Sequence, residues 1–148
     1  MLVKTSLELP AVMKRASDAF AAGDPIALSE CFTPNARLVT QLDKKLAAKL
    51  GLSSGLEPVE AVGQLDILKY YALELSSYDL TYFDVMSAVN VGRDIGIVYQ
   101  WCIKLRESGS TMSGICHTIS SLDPSSRRIA YSHDIIKTME IGWGSPFH

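Results

Sequence analysis

At 148 residues the chain is about the length of one domain. It is 47% hydrophobic and 20% charged, which excludes a disordered chain or an acidic tail. Fourteen Lys and Arg against 16 Asp and Glu give a formal charge of −2, so no basic footprint for nucleic acid or an anionic membrane surface exists. No apolar run approaches the ~18 residues of a membrane span, and the opening residues 1–10 lack one long enough for a signal peptide. Cys31, Cys102 and Cys116 are odd in number, widely spaced and without a Cys-x-x-Cys pair. They fit reduced thiols in a cytoplasmic setting better than a disulfide framework or a zinc site.

No repeat, charge run or Pro/Gly-rich linker divides the chain. One domain over 1–148 is therefore expected, with a core at about 10–140 and an aromatic tail at 141–148. In 10–22, Val12, Met13, Ala16 and Phe20 share a face at helical spacing. Gly23 ends this helix, and Asp24 with Pro25 opens the next, roughly 25–33. Residues 37–42 read as a short strand. Residues 43–57 stay open: Asp43 is a cap for a short helix ending at Gly51, and a Ser/Gly loop follows. A third helix, 64–76, carries Leu65, Leu68, Tyr71, Ala72 and Leu75 as its apolar stripe.

From residue 78 the pattern changes to period two, the signature of strands. Even positions Tyr78, Leu80, Tyr82, Asp84 and Met86 share a face in 78–90, and odd positions Ile95 to Leu105 are all apolar in 95–106. The odd sets of 113–122 and 128–137 are Ile115, His117, Ile119, Ser121 and Ile129, Tyr131, His133, Ile135. Short turns join these runs into a four-strand antiparallel meander. Helices followed by such a sheet make an α+β fold with helices covering one face.

Two segments, Asp-Ala-Phe-Ala-Ala-Gly-Asp-Pro-Ile-Ala-Leu-Ser-Glu-Cys-Phe-Thr-Pro-Asn-Ala-Arg-Leu at 18–38 and Val-Gly-Gln-Leu-Asp-Ile-Leu-Lys-Tyr-Tyr at 62–71, carry a family likeness. With the four terminal strands, they resemble the nuclear-transport-factor-2-like, or SnoaL-like, superfamily. The resemblance implies a strongly curved antiparallel sheet wrapped around three N-terminal helices, a cone with an apolar pocket. It also implies a homodimer through the outer sheet face. Members include ketosteroid isomerases, scytalone dehydratase, polyketide cyclases and proteins without catalysis, so fold does not choose the reaction. Where ketosteroid isomerase has a tyrosine and its general-base aspartate, gapless counting from Gly23 places Ala16 and Thr40. Its oxyanion-binding aspartate falls near Thr118. Threonine is no base, which removes that mechanism. One scytalone dehydratase histidine falls near His117, without its partner. The acid/base aspartate of SnoaL-type cyclases falls near Asp134, whose parity opposes that of His133.

Turn-derived registers place Asp84 opposite Trp101, Trp101 opposite His117, and His117 opposite His133. This makes one cross-sheet row, with Tyr82, Tyr99, Tyr131 and Met86 beside it. Opposed Cβ atoms lie roughly 4.5–5.5 Å apart, so the two imidazoles would touch. The row admits three readings: hydrogen-bonded core histidines, acid/base chemistry, or a metal site. The metal reading is weakest, because no His-x-His or His-x-x-x-His spacing exists and Trp101 separates Asp84 from the pair. Cys102 and Cys116 also fall opposite each other, on the outer face.

The expectation is a cofactor-independent lyase, cyclase or isomerase acting on a small, oxygenated, hydrophobic compound. His117 and His133 are its proton carriers, with Asp134 and Asp84 as further catalytic candidates. Trp101, Tyr99, Tyr82, Tyr131, Met86 and Thr40 are the ligand contacts. No metal, cofactor, nucleic acid or membrane is expected as a partner. A non-catalytic binding or dimerisation module of the same fold is the alternative.

Overall fold

The computed structural model describes residues 8–50 and 58–139. The Pro10 carbonyl accepts the Met13 and Lys14 amides at 2.9 and 3.0 Å and starts α1 (Ala11–Ala21). Gly23, at φ +69°, turns the chain where a Cβ would be strained. Asp24 then caps α2 (Pro25–Glu30), its Oδ1 accepting the Ala27 amide at 3.0 Å. Next come β1 (Phe32–Leu42), α3 (Lys44–Leu50), β2 (Val59–Val62) and α4 (Gln64–Ser76). Four long strands follow: β3 (Tyr78–Val91), β4 (Asp94–Leu105), β5 (Thr111–Leu122) and β6 (Ile129–Thr138).

All six strands form one sheet, ordered β2-β1-β6-β5-β4-β3. Only the β1–β6 pairing is parallel. The α+β plan and the antiparallel meander match the sequence pattern. The details differ in three places. β1 starts at Phe32 rather than 37, β2 was not expected, and a fourth helix, α3, joins the expected three. Asp43 does cap α3, accepting the Leu46 amide at 2.8 Å, and also accepts the Thr138 hydroxyl at 3.0 Å, which pins the helix to β6. The buried stripe of α4 is Ile67, Tyr71, Glu74 and Leu75, while Leu65 is exposed. The Ser/Gly loop and the 141–148 tail lie outside the described residues.

On β4 the odd residues Ile95 to Leu105 are all buried against the helices, as their periodicity predicts. Its neighbours do not keep the expected phase. β3 pairs with β4 as expected from Val91↔Asp94 to Ser87↔Val98, but register shifts near Met86 and Thr81 follow. These bulges bend the strand and exchange its faces. Asp84 therefore lies opposite Gln100, and Phe83 takes the place opposite Trp101. The β4–β5 loop closes with the Leu105 amide on the Ser110 carbonyl at 2.8 Å, so Trp101 faces Gly114 rather than His117. That slip is odd, and an odd slip turns every β5 side chain over. In β6 a further shift between Ile129 and Tyr131 puts Ser132, Asp134 and Ile136 inside.

Gly114 fits where it is because it lacks a side chain. A Cβ there would collide with the Lys137 carbonyl and the Trp101 ring, whereas one at Gly96 would meet nothing within 4 Å. Gly114→Ala is expected to destabilise the fold by ~2–4 kcal/mol in urea unfolding, and Gly96→Ala by less than ~1 kcal/mol. Equal effects would contradict this packing.

Candidate active site

Between the sheet and the helices lies a cavity of about 110 Å³. Its walls come from α1, α2, α3, α4 and the strands, and most of them are apolar. Phe83 and Tyr99 stack at 4.9 Å with 19° between their rings, and Trp101 continues the aromatic wall. The Tyr99 hydroxyl is 3.2 Å from Ser17 Oγ on α1. Trp101 is 5% exposed, and its buried Nε1–H has no hydrogen-bond partner among the described residues.

Two carboxyl groups interrupt this lining. Asp134, on β6, is brought inside by the alternation that carries Ser132 and Ile136. Burial pushes its pKa up to about 7, and the nearby Glu74 adds to the rise. The Thr118 and Ser132 hydroxyls oppose the rise, Ser132 donating to Asp134 Oδ1 at 3.3 Å. Glu74 sits in the buried stripe of α4 and receives the Tyr78 hydroxyl at 2.6 Å. Burial raises its pKa too, against the pull of the Tyr78 and Tyr70 hydroxyls. The Tyr70 hydroxyl lies near Glu74 and Thr40 without a well-aligned bond to either. Cys116 also reaches the cavity, and burial keeps its thiol protonated, its pKa well above the usual value.

No protein-family model and no curated protein sequence matches the chain. Solved structures do resemble it in shape. A protein with a ketosteroid isomerase-like fold from Catenulispora acidiphila, solved in complex with trimethylamine, is 13% identical, with a TM-score of 0.68 over 86% of this chain and 85% of that one. A SnoaL-like protein of unknown function from Burkholderia thailandensis is 16% identical, with a TM-score of 0.58 over 83% and 88%. An NTF2-like protein of unknown function from Exiguobacterium is 17% identical, with a TM-score of 0.64 over 85% and 98%. The chain has the SnoaL-like, nuclear-transport-factor-2-like fold.

Within this SnoaL-like cone the expected residues separate into two groups. Asp134, Trp101 and Tyr99 line the cavity. Thr40 is buried beside it, paired with Asp134 across β1 and β6. The others do not reach it. His117 lies opposite Val98 on the outer face and is exposed. His133 lies opposite Ile119 on the same face, half-buried, with Nε2 unpartnered. The Asp84–Trp101–His117–His133 row therefore does not form, and neither histidine faces the cavity. Asp84 and Tyr82 face outward, and Tyr131 sits on the outer side of β6. Met86, at a β3 bulge, is 45% exposed. Asp134 and His133 have opposite parity, and the shift before Tyr131 places Asp134 on the inner face. Cys116 points inward opposite Tyr99 while Cys102 pairs with Ser113 on the outer face, so these thiols are not neighbours. Among the described residues, no three His, Cys, Asp or Glu side chains gather closely enough to hold a metal ion.

Glu74, Tyr78, Thr118 and Ser132 were not expected in the site. Glu74 had one visible signal, an acidic residue four positions before Tyr78 and three after Tyr71 on a helix face otherwise apolar.

The raised Asp134 pKa is also a statement about stability. Between its unfolded value near 4 and about 7, the folded chain holds a proton that the unfolded chain has released. Its contribution is thus fully present below pH ~4 and is lost as pH rises through 7. A three-unit shift corresponds to ~4 kcal/mol. Asp134→Asn is expected to be more stable than the parent at pH 8 by up to that ~4 kcal/mol, with the difference vanishing near pH 4. Urea unfolding at the two pH values measures this, and a pH-independent difference would refute it.

Proposed function

We propose that this protein is a cofactor-independent proton-transfer enzyme, a lyase, cyclase or isomerase, acting on a small oxygenated compound held in the cavity. Asp134 is the acid/base. One observation carries this reading: a carboxyl enclosed in a ligand-sized apolar cavity, with its pKa pushed to about 7. At neutral pH such a group is present in both forms, so it can accept a proton and return it. The buried Trp101 Nε1–H supports an oxygenated ligand, since a carbonyl or hydroxyl oxygen would supply its missing partner. Phe83 and Tyr99 shape the apolar wall. Free thiols fit a reducing, cytoplasmic compartment.

The second reading is a pocket that binds without catalysis. It is favoured by the neighbour of the same fold from Catenulispora acidiphila, which holds trimethylamine. Native mass spectrometry of the purified protein identifies a retained compound, and turnover of that compound separates the readings. Asp134→Asn is expected to lower turnover ~10²–10⁴-fold, while His117→Ala and His133→Ala leave it within about threefold. Binding without turnover would favour the second reading, and a loss on replacing a histidine would overturn the assignment to Asp134.

We further propose a homodimer formed through the outer sheet face. Ile119 is 55% exposed there, with Val98 and Ile115 on the same side. Sedimentation should give twice the chain mass, and Ile119→Glu should shift it toward the monomer. A monomer at micromolar concentration for the parent protein would refute this.

A further inference from the structure

The cavity holds an unbalanced charge. Asp134 and Glu74 both line it, and among the described residues no Lys, Arg or His does. The titratable groups facing the two carboxyls are Tyr70 and Tyr71 from α4, Tyr78 from β3, Tyr99 from β4 and Cys116 from β5. All five are neutral when protonated, and none supplies a positive charge. α1, α2, α3 and β1 contribute only apolar side chains and the Ser17 hydroxyl to the lining. Buried carboxylates without a cation are costly, so in the empty protein a proton must supply the balance.

The rest of the lining is suited to a different balancing charge. Phe83, Tyr99 and Trp101 present ring surface to the same space, and ring faces attract organic cations, most strongly where water is excluded. Trp101 contributes a second, independent sign that the space is built for a guest. It is nearly fully buried, lines the cavity, and its Nε1–H is unpaired.

We infer that the ligand of this cavity is a small organic ammonium ion, its nitrogen balanced by Asp134 and Glu74 and its methyl or methylene groups packed on Phe83, Tyr99 and Trp101. This rests on reading the cavity as a ligand site, and it narrows the substrate class. It also narrows the role of Asp134. With a cation beside it the group enters the reaction as a carboxylate, and therefore as the base. Binding must displace the proton that neutralises Asp134 in the empty site, one positive charge exchanging for another, so affinity depends on pH with a defined sign. It rises as pH rises toward 7 and levels off above.

Calorimetric titration of the full chain with choline and with 3,3-dimethyl-1-butanol tests this, because the two differ in having nitrogen or carbon at the branched centre. At pH 8 choline should bind about tenfold or more tightly than its neutral counterpart. Below pH 7 choline affinity should fall about tenfold per pH unit, with proton release visible when buffers of different ionisation heat are compared. Asp134→Asn and Glu74→Gln, each verified as folded by circular dichroism, should each lose the preference for choline. Equal or tighter binding of the neutral alcohol would overturn the inference while leaving the cavity as a ligand site. Failure of both probes to bind would remove the inference together with the reading beneath it.

Discussion

A pleated strand presents alternate residues to opposite faces, so any irregularity that inserts one residue exchanges inside and outside. In this sheet a few such irregularities decide the chemistry of the interior. The bulge near Met86 takes Asp84 off the inner face and gives Phe83 its place opposite Trp101. The bulge near Thr81 exchanges the faces again, so that Leu80 and Tyr78 line the cavity. The Leu105–Ser110 closure sends His117 outward and Thr118 inward. The shift before Tyr131 carries Asp134 into the cavity and leaves His133 outside. The same bulges strengthen the local bend, and the bend lets one sheet both wrap the helices and leave a space between.

That space is maintained by small side chains on one wall and large ones on the other. Gly114, Cys116, Thr118 and Ser120 supply the inner row of β5, opposite the bulky Ile95, Ile97, Tyr99 and Trp101 row of β4. Trp101 occupies the room that Gly114 leaves. Ser120 and Ser132 close their own hydrogen bond at 2.9 Å, so they need no water. Trp101 Nε1 remains an unsatisfied polar atom on a residue that lines the cavity. Asp43 holds α3, with Leu46, against the end of the site through Thr138.

The fold was legible because its signals are local. Caps at Asp24 and Asp43, the turn at Gly23 and the odd-position run of β4 each depend on a few adjacent residues. The site was not, because it depends on phase between strands. In β5 alternation points to the more apolar set, Ile115 and Ile119, as the inner face, whereas it is the outer one. Hydrophobic alternation identifies two faces without saying which is covered by the same chain. Here both faces have reason to avoid water, one against helices and the other as a candidate contact surface. β2 escaped notice because four residues are too few to establish a period. Asp134 was found through family likeness, and the geometry that brings it inside could not be read from its neighbours.

The two acidic groups make the strongest argument that this interior is a site and not merely a core. A buried carboxyl that only filled space or received hydroxyl donors would be replaced at lower cost by an amide, which also accepts hydrogen bonds and carries no charge to desolvate. Asp134 receives Ser132, and Glu74 receives Tyr78, yet neither gains a cationic partner among the described residues. Each donor holds its carboxyl in place and lowers its pKa, opposing but not cancelling the effect of burial. The result is an acid whose proton is weakly held near neutrality, set among largely apolar surfaces. A structural core gains nothing from that condition. A pocket that transfers protons, or exchanges one for a charged guest, requires it.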